Sequence, residues 1–480
     1  MAAGFYATTL VLGILVTASA ASAAAAPSPT PSPSASPSPI IVAAPAAAHP
    51  RVNWLYRDRE DWSALSNPAL RTDPYDSLKY MPLGSDPKHY VSVGATVREM
   101  VESVTFEPPG GIPNAYLLSR IQLHADLHLG DRVRIFTQLA SDFAPGKQAI
   151  TPVDQDSLGL EQGFVEFRVP ASVGGFNVRI GRQELAFDSQ RFLAVREGPN
   201  VRQPFDAVWA AYQTGAWKVQ GLYSQPVQTQ IQRPFGDSSS PGNTFSGLHV
   251  EHTDATGTIS AYVAQLVNDQ PFYIFANGIE RRNVFDVRSA GVIKGQDWDL
   301  EGMYQTGTVG GKTIRAWGAG NKYGYTWRTR HWSPRLGIQF DAASGNAVAN
   351  SQVIGTFNPL FPNGQYMTLA GYPGYANLWH VKPSLTLHPS RTAQIMFAVA
   401  DIWRQRVADA AYVFPNFPIP DTAGRGGSYT GTYQEARVDW FVTPHLITSL
   451  EFEHFVNAAY LNQAGMHNGN FAALAFEYGF

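Results

Sequence analysis

Hydrophobic and polar residues alternate with a period of two along most of the chain after Tyr90. Between Leu117 and Leu129, small or apolar side chains take the odd positions. From 120 onward the even positions are polar or charged: Arg120, Gln122, His124, Asp126 and His128. Because successive side chains of a β-strand point to opposite faces of the sheet, this pattern predicts a strand with one apolar and one polar face.

The same alternation returns near 91–98, 133–139, 335–341 and 435–440. Each run is about ten residues long, which is the length that a tilted strand needs to cross a bilayer. Unpaired backbone polar groups are too costly in lipid, so such strands must form a closed sheet. The pattern therefore predicts an all-β protein folded as a closed antiparallel transmembrane β-barrel.

Turn lengths alternate between the predicted strands. Short turns occur, for example, at Leu129-Gly130-Asp131. Longer Gly- and Pro-rich stretches fall at 141–158, 185–204, 225–243, 268–283, 342–376 and 405–428. Short turns on one side and long loops on the other are typical of outer-membrane barrels. We count about 16 to 18 strands and favour 18, a size at which wall side chains cannot fill the interior and a water channel is expected.

The printed sequence ends on an aromatic strand. Phe480, Tyr478 and Phe476 share one face, whereas the other face carries small residues and Glu477. An exposed aromatic edge strand invites aggregation in a soluble protein, but a barrel places it against lipid. We therefore expect contact with outer-membrane lipid. We also expect the strand ending at Phe480 to be recognised by the outer-membrane assembly machinery.

Four segments are predicted along the chain. Residues 1–26 resemble a secretory signal peptide, although no Lys or Arg precedes the apolar core, and an uncleaved anchor is the alternative. Residues 27–50 are rich in Pro, Ser and Ala, which indicates an extended periplasmic linker. Residues 51–89 are predicted to be an N-terminal lead-in or plug segment, and 90–480 the outer-membrane β-barrel.

Composition supports a barrel in the outer membrane of a Gram-negative bacterium. Charged residues make up 15% of the chain, below the usual quarter of a soluble domain, and aromatic residues reach 12%. The net charge of −3 does not suggest a nucleic-acid partner. The absence of Cys excludes disulfides, thiolate metal sites and a lipidated Cys. No cofactor is expected.

The stretch 178–208 is the richest in Arg. Arg179 and Gln183 share one strand face, whereas strict alternation turns Arg182 outward, so either a bulge re-aims it or it lies at the membrane interface. One interpretation is a cationic constriction that selects anions by lowering their desolvation cost. The other is a ladder of Arg–Asp pairs that braces the wall. We predict that Arg179→Ala or Arg202→Ala weakens anion selectivity with little loss of folding, whereas a collapse of folding would favour the ladder.

Two further patterns contain residue types that occur in metal sites and in hydrolases. His124, Asp126 and His128 lie on one strand face and could converge on a metal ion, but such residues are more often polar groups lining a lumen. A membrane-embedded hydrolase would need Ser and His on one face, whereas His331 and Ser333 or His388 and Ser390 do not form such a pair. The sequence therefore favours a protein that is not an enzyme.

Several blocks together resemble the alginate export family of outer-membrane proteins. They are REDWSALSNPALRTDPYDSLKYMPLG, YVSVGATVREMVE, RIGRQEL with NVRQPFDAV, PRLGIQFDAASGN with GTFNPLFP, and NLWHVKPSLTLHPS. The resemblance runs from about Asp61 to Phe480, and the ordered set is more specific than any one block. Trp209 departs from the family, whose members often carry a basic residue there, and the long Pro-rich leader is unusual.

The resemblance implies an 18-stranded barrel with an electropositive pore that passes an anionic polysaccharide from the periplasm. The residues carried over to a pore-lining role are Arg98, Arg120, Arg134, Arg179, Arg182, Gln183, Arg202 and Asp206. The predicted function is passive passage of an anionic, uronate-type poly- or oligosaccharide. The alternatives are a general or small-anion uptake porin and, from another class, a membrane-embedded hydrolase or structural anchor. A loop 342–376 folded inward favours a dedicated exporter, and an outward loop favours a general porin.

Overall fold

The computed structural model describes residues 51–105, 114–271, 273–349 and 351–480. The predicted signal peptide and linker lie outside these ranges. Among the helices of the described residues, none combines the length and apolar character needed to cross a membrane. Most of the regular structure that is described is β.

Eighteen long strands of the described residues form one closed antiparallel sheet. They are β1 (His89–Val104), β2 (Asn114–Leu129), β3 (Val133–Phe143), β4 (Asp156–Pro170), β5 (Gly175–Glu184), β6 (Pro204–Thr214), β7 (Trp217–Gln228), β8 (Thr244–Thr253), β9 (Gly257–Asn268), β10 (Glu280–Ile293), β11 (Gln296–Val309), β12 (Lys312–Thr326), β13 (Arg335–Ala343), β14 (Leu378–Leu387), β15 (Ala393–Arg404), β16 (Tyr429–Thr443), β17 (Leu446–Asn457) and β18 (Gly469–Gly479). Each strand pairs with the next, and β18 pairs with β1, with Gly479 opposite Thr96. The predicted 18-stranded barrel is confirmed.

The two faces of the wall separate as the alternation predicts. On β2, Ile121 and Leu123 are 44% and 51% exposed on the outer face, whereas Gln122 and His124 are 2% exposed inside. Large aromatic side chains, such as Trp217 and Trp440, are also exposed on the outer face near strand ends. An outer apolar band with aromatic side chains at its margin is the arrangement that lipid contact requires.

The short connections lie at one end of the barrel, with one exception. The predicted short turns at Gly130 and Gly215 are present, and both glycines have positive φ. At the opposite, long-loop end, β11 and β12 are joined by Gly310 and Gly311 alone. Gly310 has φ +52°, and a Cβ there would lie 1.8 Å from the carbonyl oxygen of Asn277. A two-residue turn of two glycines is therefore tolerated among long loops.

Two of the long loops fold into the barrel. These are the 185–203 loop between β5 and β6 and the 344–377 loop between β13 and β14. They join each other through backbone hydrogen bonds, from Ala194 N to Phe361 O and from Phe361 N to Phe192 O, both 3.0 Å. Phe192, Leu193, Ala194 and Phe357 are at most 1% exposed. The loops thus carry an apolar core into the space that the wall side chains leave open.

The inner face of β12 is small where the loops pack against it. A Cβ at Gly318 would lie 2.6 Å from the ring of Phe357, and a Cβ at Gly320 would lie 2.3 Å from the guanidinium of Arg191. Close packing leaves no room for an added methyl group at either position. The two glycines therefore leave the space into which Phe357 and Arg191 of the two loops pack.

The N-terminal segment 51–88 lies inside the short-turn end of the barrel. It contains three 3₁₀ turns and a one-turn helix, α1 (Asp76–Lys79). Trp62, Leu65 and Tyr80 form a buried cluster with Tyr90 of β1. The guanidinium of Arg57 donates to the carbonyl oxygen of Phe480. These contacts join the beginning of the described chain to the end of β18.

Candidate functional site: the lumen

Three of the predicted pore-lining arginines converge on one carboxylate of the 185–203 loop, and we name this group the Glu197 cluster (Glu197, Arg98, Arg120, Arg202). Nη1 of Arg98 lies 3.3 Å and Nη1 of Arg120 lies 2.6 Å from Oε1 of Glu197. Arg202 donates to Oε2 of the same carboxylate. The three guanidinium groups therefore face a loop carboxylate and do not form a bare cationic ring.

The same arginines also hold the loop backbone. Arg120 donates to the carbonyl oxygens of Glu197, Pro199 and Asn200 at 3.1, 2.6 and 2.8 Å. Arg98 donates to the carbonyl oxygens of Glu197 and Pro199 at 2.9 and 3.3 Å. Since Arg has five donors in a fixed fork, each side chain can bind a carboxylate and several carbonyls at once. The cluster anchors the loop to β1 and β2.

Electrostatics keep Glu197 ionised. Burial alone raises the pKa of a carboxyl, but the charges of Arg120, Arg202 and Arg98 outweigh that effect and lower the pKa of Glu197 to about 2. In return, the pKa of Arg202 stands well above its ordinary value, because Glu184 and Glu197 outweigh the effect of its burial. Glu197 and Arg202 are therefore both charged at neutral pH.

Arg134 and Arg179 point inward, but each is paired. Arg134 forms a two-pronged contact with Asp126 at 2.7 and 2.6 Å. Arg179 contacts Glu166 at 2.7 Å and Asp58 of the N-terminal segment at 2.8 Å. Gln183 is also internal, and its amide donates to the carbonyl oxygen of Ala207 at 3.1 Å. These contacts match the ladder interpretation better than a free cationic constriction.

Arg182 and Asp206 do not line the lumen. They lie directly opposite each other on β5 and β6, in register with Ile180 and Val208, which are 49% and 48% exposed on the outer face. Nε of Arg182 is 2.8 Å from Oδ1 of Asp206. Their predicted pore-lining position is therefore wrong, because the alternation continues through Gly181 without a bulge in the β5–β6 register and turns both side chains outward.

The 344–377 loop contributes residues that the sequence did not single out. Tyr375 donates to the carbonyl oxygen of Ala319 at 2.6 Å, and Ala370 N donates to Glu453 at 2.8 Å. The ring of Tyr366 lies 4.3 Å from Nζ of Lys322. The loop thus spans the lumen from β12 to β17. Its aromatic content was the available signal, but no period in the sequence indicates where a loop packs.

Several lumen cations make no ion pair with a carboxylate in the part of the chain that the structure describes, among them Arg59, Arg196 and Lys322. Arg59 lies over the ring of Tyr56 at 3.6 Å, and Arg196 lies 5.7 Å from the ring of Phe414. Burial lowers the pKa of Arg196 to about 10, so it stays charged at neutral pH. All three remain partly accessible to water.

The lumen is not uniformly positive. Glu102, Glu251 and Glu477 also face it, are partly accessible, and make no ion pair among the residues that the structure covers. The resemblance implies an electropositive pore, whereas the described lumen carries both acidic residues and individual unpaired cations. Arg59 marks one of them, in a recess of about 200 Å³ at the short-turn end that Arg179 and Trp209 also line.

The histidine pattern on β2 forms hydrogen bonds and ring contacts. His128 lies 3.0 Å from Asp126 and stacks on Tyr90 at a centroid distance of 4.3 Å. Arg134 takes both oxygens of Asp126. His124 packs against Phe136 at 5.6 Å. Within the described residues these side chains do not bring three ligand atoms together as a metal ion would require.

A closed barrel with an apolar outer band and inward-folded loops defines a porin-type outer-membrane channel. A sequence model of the alginate export family matches residues 89–474. The chain belongs to that family. Comparison with curated protein sequences finds no significant match.

Solved structures of bacterial porins share the fold. OccK2 (OpdF) of Pseudomonas aeruginosa, in complex with glucuronate, is 9% identical with a TM-score of 0.54, and the match covers 81% of this chain and 98% of that one. A BenF-like porin of Pseudomonas fluorescens Pf-5 is 11% identical with a TM-score of 0.56 over the same shares. The outer membrane protein opdK of P. aeruginosa is 8% identical with a TM-score of 0.57, also over 81% and 98%. At these identities the likeness establishes the fold alone.

Proposed function

We propose that the channel passes an anionic saccharide of the uronate type passively between periplasm and exterior. The observation that carries this proposal is the set of water-accessible lumen cations outside ion pairs, Arg59, Arg196 and Lys322. A carboxylate that leaves bulk water can exchange part of its hydration shell for such groups. Because the groups are partly hydrated and acidic residues lie nearby, the contact is weak enough for release.

Aromatic side chains accompany these cations. Tyr366 lies against Lys322, and Trp209 is 5.5 Å from the guanidinium of Arg179 beside Arg59 in the recess. Binding sites for small organic ligands combine apolar or aromatic surfaces with a few placed polar groups. A cation beside an aromatic face therefore suits a ring that carries one carboxylate. This pairing supports a sugar acid over an inorganic anion.

The inward position of the 344–377 loop favours a dedicated channel over a general porin. The loop contacts the backbone of β12 through Tyr375 and the inner side chain of Glu453 on β17 through Ala370, so it narrows the lumen. A narrowed lumen selects on size and shape, whereas a wide one does not. We also infer a Gram-negative outer membrane as the location, with β18 as the strand presented to the assembly machinery.

The test is conductance in planar bilayers. We expect an anion-preferring reversal potential and block by oligouronate, with weaker block by a neutral oligosaccharide of equal length. Lys322→Gln and Arg196→Gln should each weaken the block, whereas Lys88→Gln should not, because Lys88 lies in an exposed pair with Asp131 outside the barrel wall. Cation preference, or equal block by the neutral sugar, would refute the proposal and leave the barrel intact.

Uptake of small anions is the second candidate. It is favoured by the inward-folded loops, which leave limited space, and by the structural likeness to a porin crystallised with glucuronate. Proteoliposome swelling with monomeric uronate, compared with block by long chains, separates the two. Fast permeation of the monomer without block by the polymer would favour small-anion uptake over polysaccharide export.

A further inference from the structure

Beyond the proposed function, we infer that the lumen holds a calcium site that fixes the 185–203 loop to the wall. Its ligands are carboxylate oxygens of Asp188 in the loop, Asp286 on β10 and Glu301 on β11, which lie within 4.8 Å of one another. Calcium takes oxygen ligands at about 2.4 Å, so two ligands on opposite sides of one ion stand about 4.8 Å apart. The donor set and its spacing fit that ion.

Two buried polar groups point to a ligand at this place. Asp286 is 2% exposed, and neither of its carboxylate oxygens has a hydrogen-bond partner among the described residues. The hydroxyl of Tyr262, 3% exposed, also has no partner there. Tyr262 lies directly opposite Asp286 across β9 and β10, within electrostatic reach of all three carboxylates. Buried oxygen atoms left unpaired are costly, and a bound cation would satisfy them.

The local charge balance also calls for a cation. Four carboxylates, of Asp188, Asp286, Asp299 and Glu301, share the two guanidinium groups of Arg191 and Arg288. Both oxygens of Asp299 are bound by Arg288 at 2.9 Å, and Glu301 is bound by Arg191. Counted against these two arginines alone, two negative charges are in excess, although His249 also contacts Asp188, and one divalent ion would neutralise that excess. Buried charges are tolerated only when they are paired or coordinate a metal.

The surrounding contacts hold the Asp188 carboxylate in position but do not occupy all of its lone pairs. Oγ of Ser260 donates to Oδ1 of Asp188 at 2.5 Å, and Nε2 of His249 lies 3.1 Å from Oδ2. A carboxylate offers about four lone-pair sites, so capacity remains for an ion. Such second contacts orient a ligand and are typical of built metal sites. The ion would connect the loop at Asp188 to two adjacent strands.

The experiment is calcium binding to the full-length protein, refolded in detergent free of lipopolysaccharide and stripped with chelator. Calorimetric titration should show saturable Ca²⁺ binding, and Ca²⁺ should raise the unfolding temperature. Asp286→Asn should weaken binding roughly tenfold or more. Glu251→Gln is the matched control, because it removes one lumen carboxylate that makes no ion pair among the described residues, and it should bind as the wild type does.

Tyr262→Phe is the second variant, since it removes a hydroxyl without a protein partner and should fold normally. It should bind Ca²⁺ more weakly than the wild type and lower the Tyr-sensitised luminescence of Tb³⁺ used in place of calcium. Absence of Ca²⁺ binding in the wild type, or wild-type binding in Asp286→Asn, would overturn the inference. Equal affinity for Mg²⁺ would overturn the assignment to calcium. None of these outcomes bears on the bilayer test of anion passage.

Discussion

Two groups of lumen cations differ in what surrounds them. In the Glu197 cluster, three guanidinium groups are nearly fully buried and are bound to a carboxylate and to loop carbonyls. Arg196, next to Glu197 in the same loop, and Lys322 on β12 are partly accessible and contact aromatic rings instead of a carboxylate. The cations of the Glu197 cluster thus hold the loop to the wall, whereas Arg196 and Lys322 remain available to a solute.

The difference follows from desolvation. A buried cation is tolerated only when its donors are satisfied, so Arg98 and Arg120 must remain bound to the loop, and Arg202, which is part of the loop, must remain bound to Glu184 and Glu197. A cation that keeps part of its hydration can exchange water for a passing anion at low cost. Burial and pairing, and not the number of arginines, therefore indicate which positions contact the solute.

The largest effect is expected from Arg120→Met. This change removes the contact with Glu197 and the hydrogen bonds to three loop carbonyls, leaving buried acceptors unpaired. Loss of one partner of a buried charged network costs on the order of 3–5 kcal/mol. We expect a lower urea midpoint for the folded barrel, measured by its shift in gel mobility. Lys88→Met, in an exposed ion pair, should change the midpoint little.

An unchanged midpoint in Arg120→Met would contradict the bracing role and restore the cationic constriction as the better interpretation. The same distinction applies to Arg202→Ala, for which the sequence predicted weaker anion selectivity with little loss of folding. Because Arg202 contacts Glu184 and Glu197, we expect Arg202→Ala to lower the stability of the folded barrel as well as to change its selectivity.

Glu197→Gln should have the next largest effect, on ion selectivity. The change leaves three guanidinium groups facing the lumen with one negative charge fewer. A unit charge at about 10 Å contributes about 1–2 kcal/mol at an effective dielectric near 20, so the anion/cation permeability ratio should rise several-fold. The reversal potential in a salt gradient measures it. Glu99→Gln, on the outer face of β1, is the matched control and should leave the ratio unchanged.

The sequence predicted the wall well and the lumen poorly, for one physical reason. Each strand separates lipid from water, so the period of two is imposed residue by residue, and even the outward direction of Arg182 could be read from it. A loop that packs inside a barrel has no period. The run Phe192-Leu193-Ala194-Val195 between charged residues was a signal of burial, but nothing in the sequence showed that Glu197 would meet Arg98 and Arg120.

Acid should release the 185–203 loop. The pKa of Glu197 is lowered in the folded protein to about 2, so its contribution is fully present above the unfolded pKa and is lost as the pH falls from about 4.5 towards 2. The shift corresponds to roughly 3 kcal/mol. We expect single-channel conductance to become larger or noisier across that window. Glu197→Gln should lose this transition, and an identical acid response in that variant would assign it to other carboxylates.

The smallest effect is expected from Arg182→Ala, and it tests the comparison between inner and outer arginines most directly. Arg182 pairs with Asp206 on the outer face, near Ser239 of the β7–β8 loop, so its charge is not directed into the lumen. A partly exposed pair contributes about 1 kcal/mol or less, and the reversal potential should stay at the wild-type value. Arg202→Ala, measured beside it, removes the same group from the 185–203 loop inside the barrel and should shift the reversal potential. Equal shifts in the two variants would show that the charge of Arg182 also acts in the lumen. The β5–β6 register, and with it the assignment of inner and outer faces on these strands, would then differ from the one described.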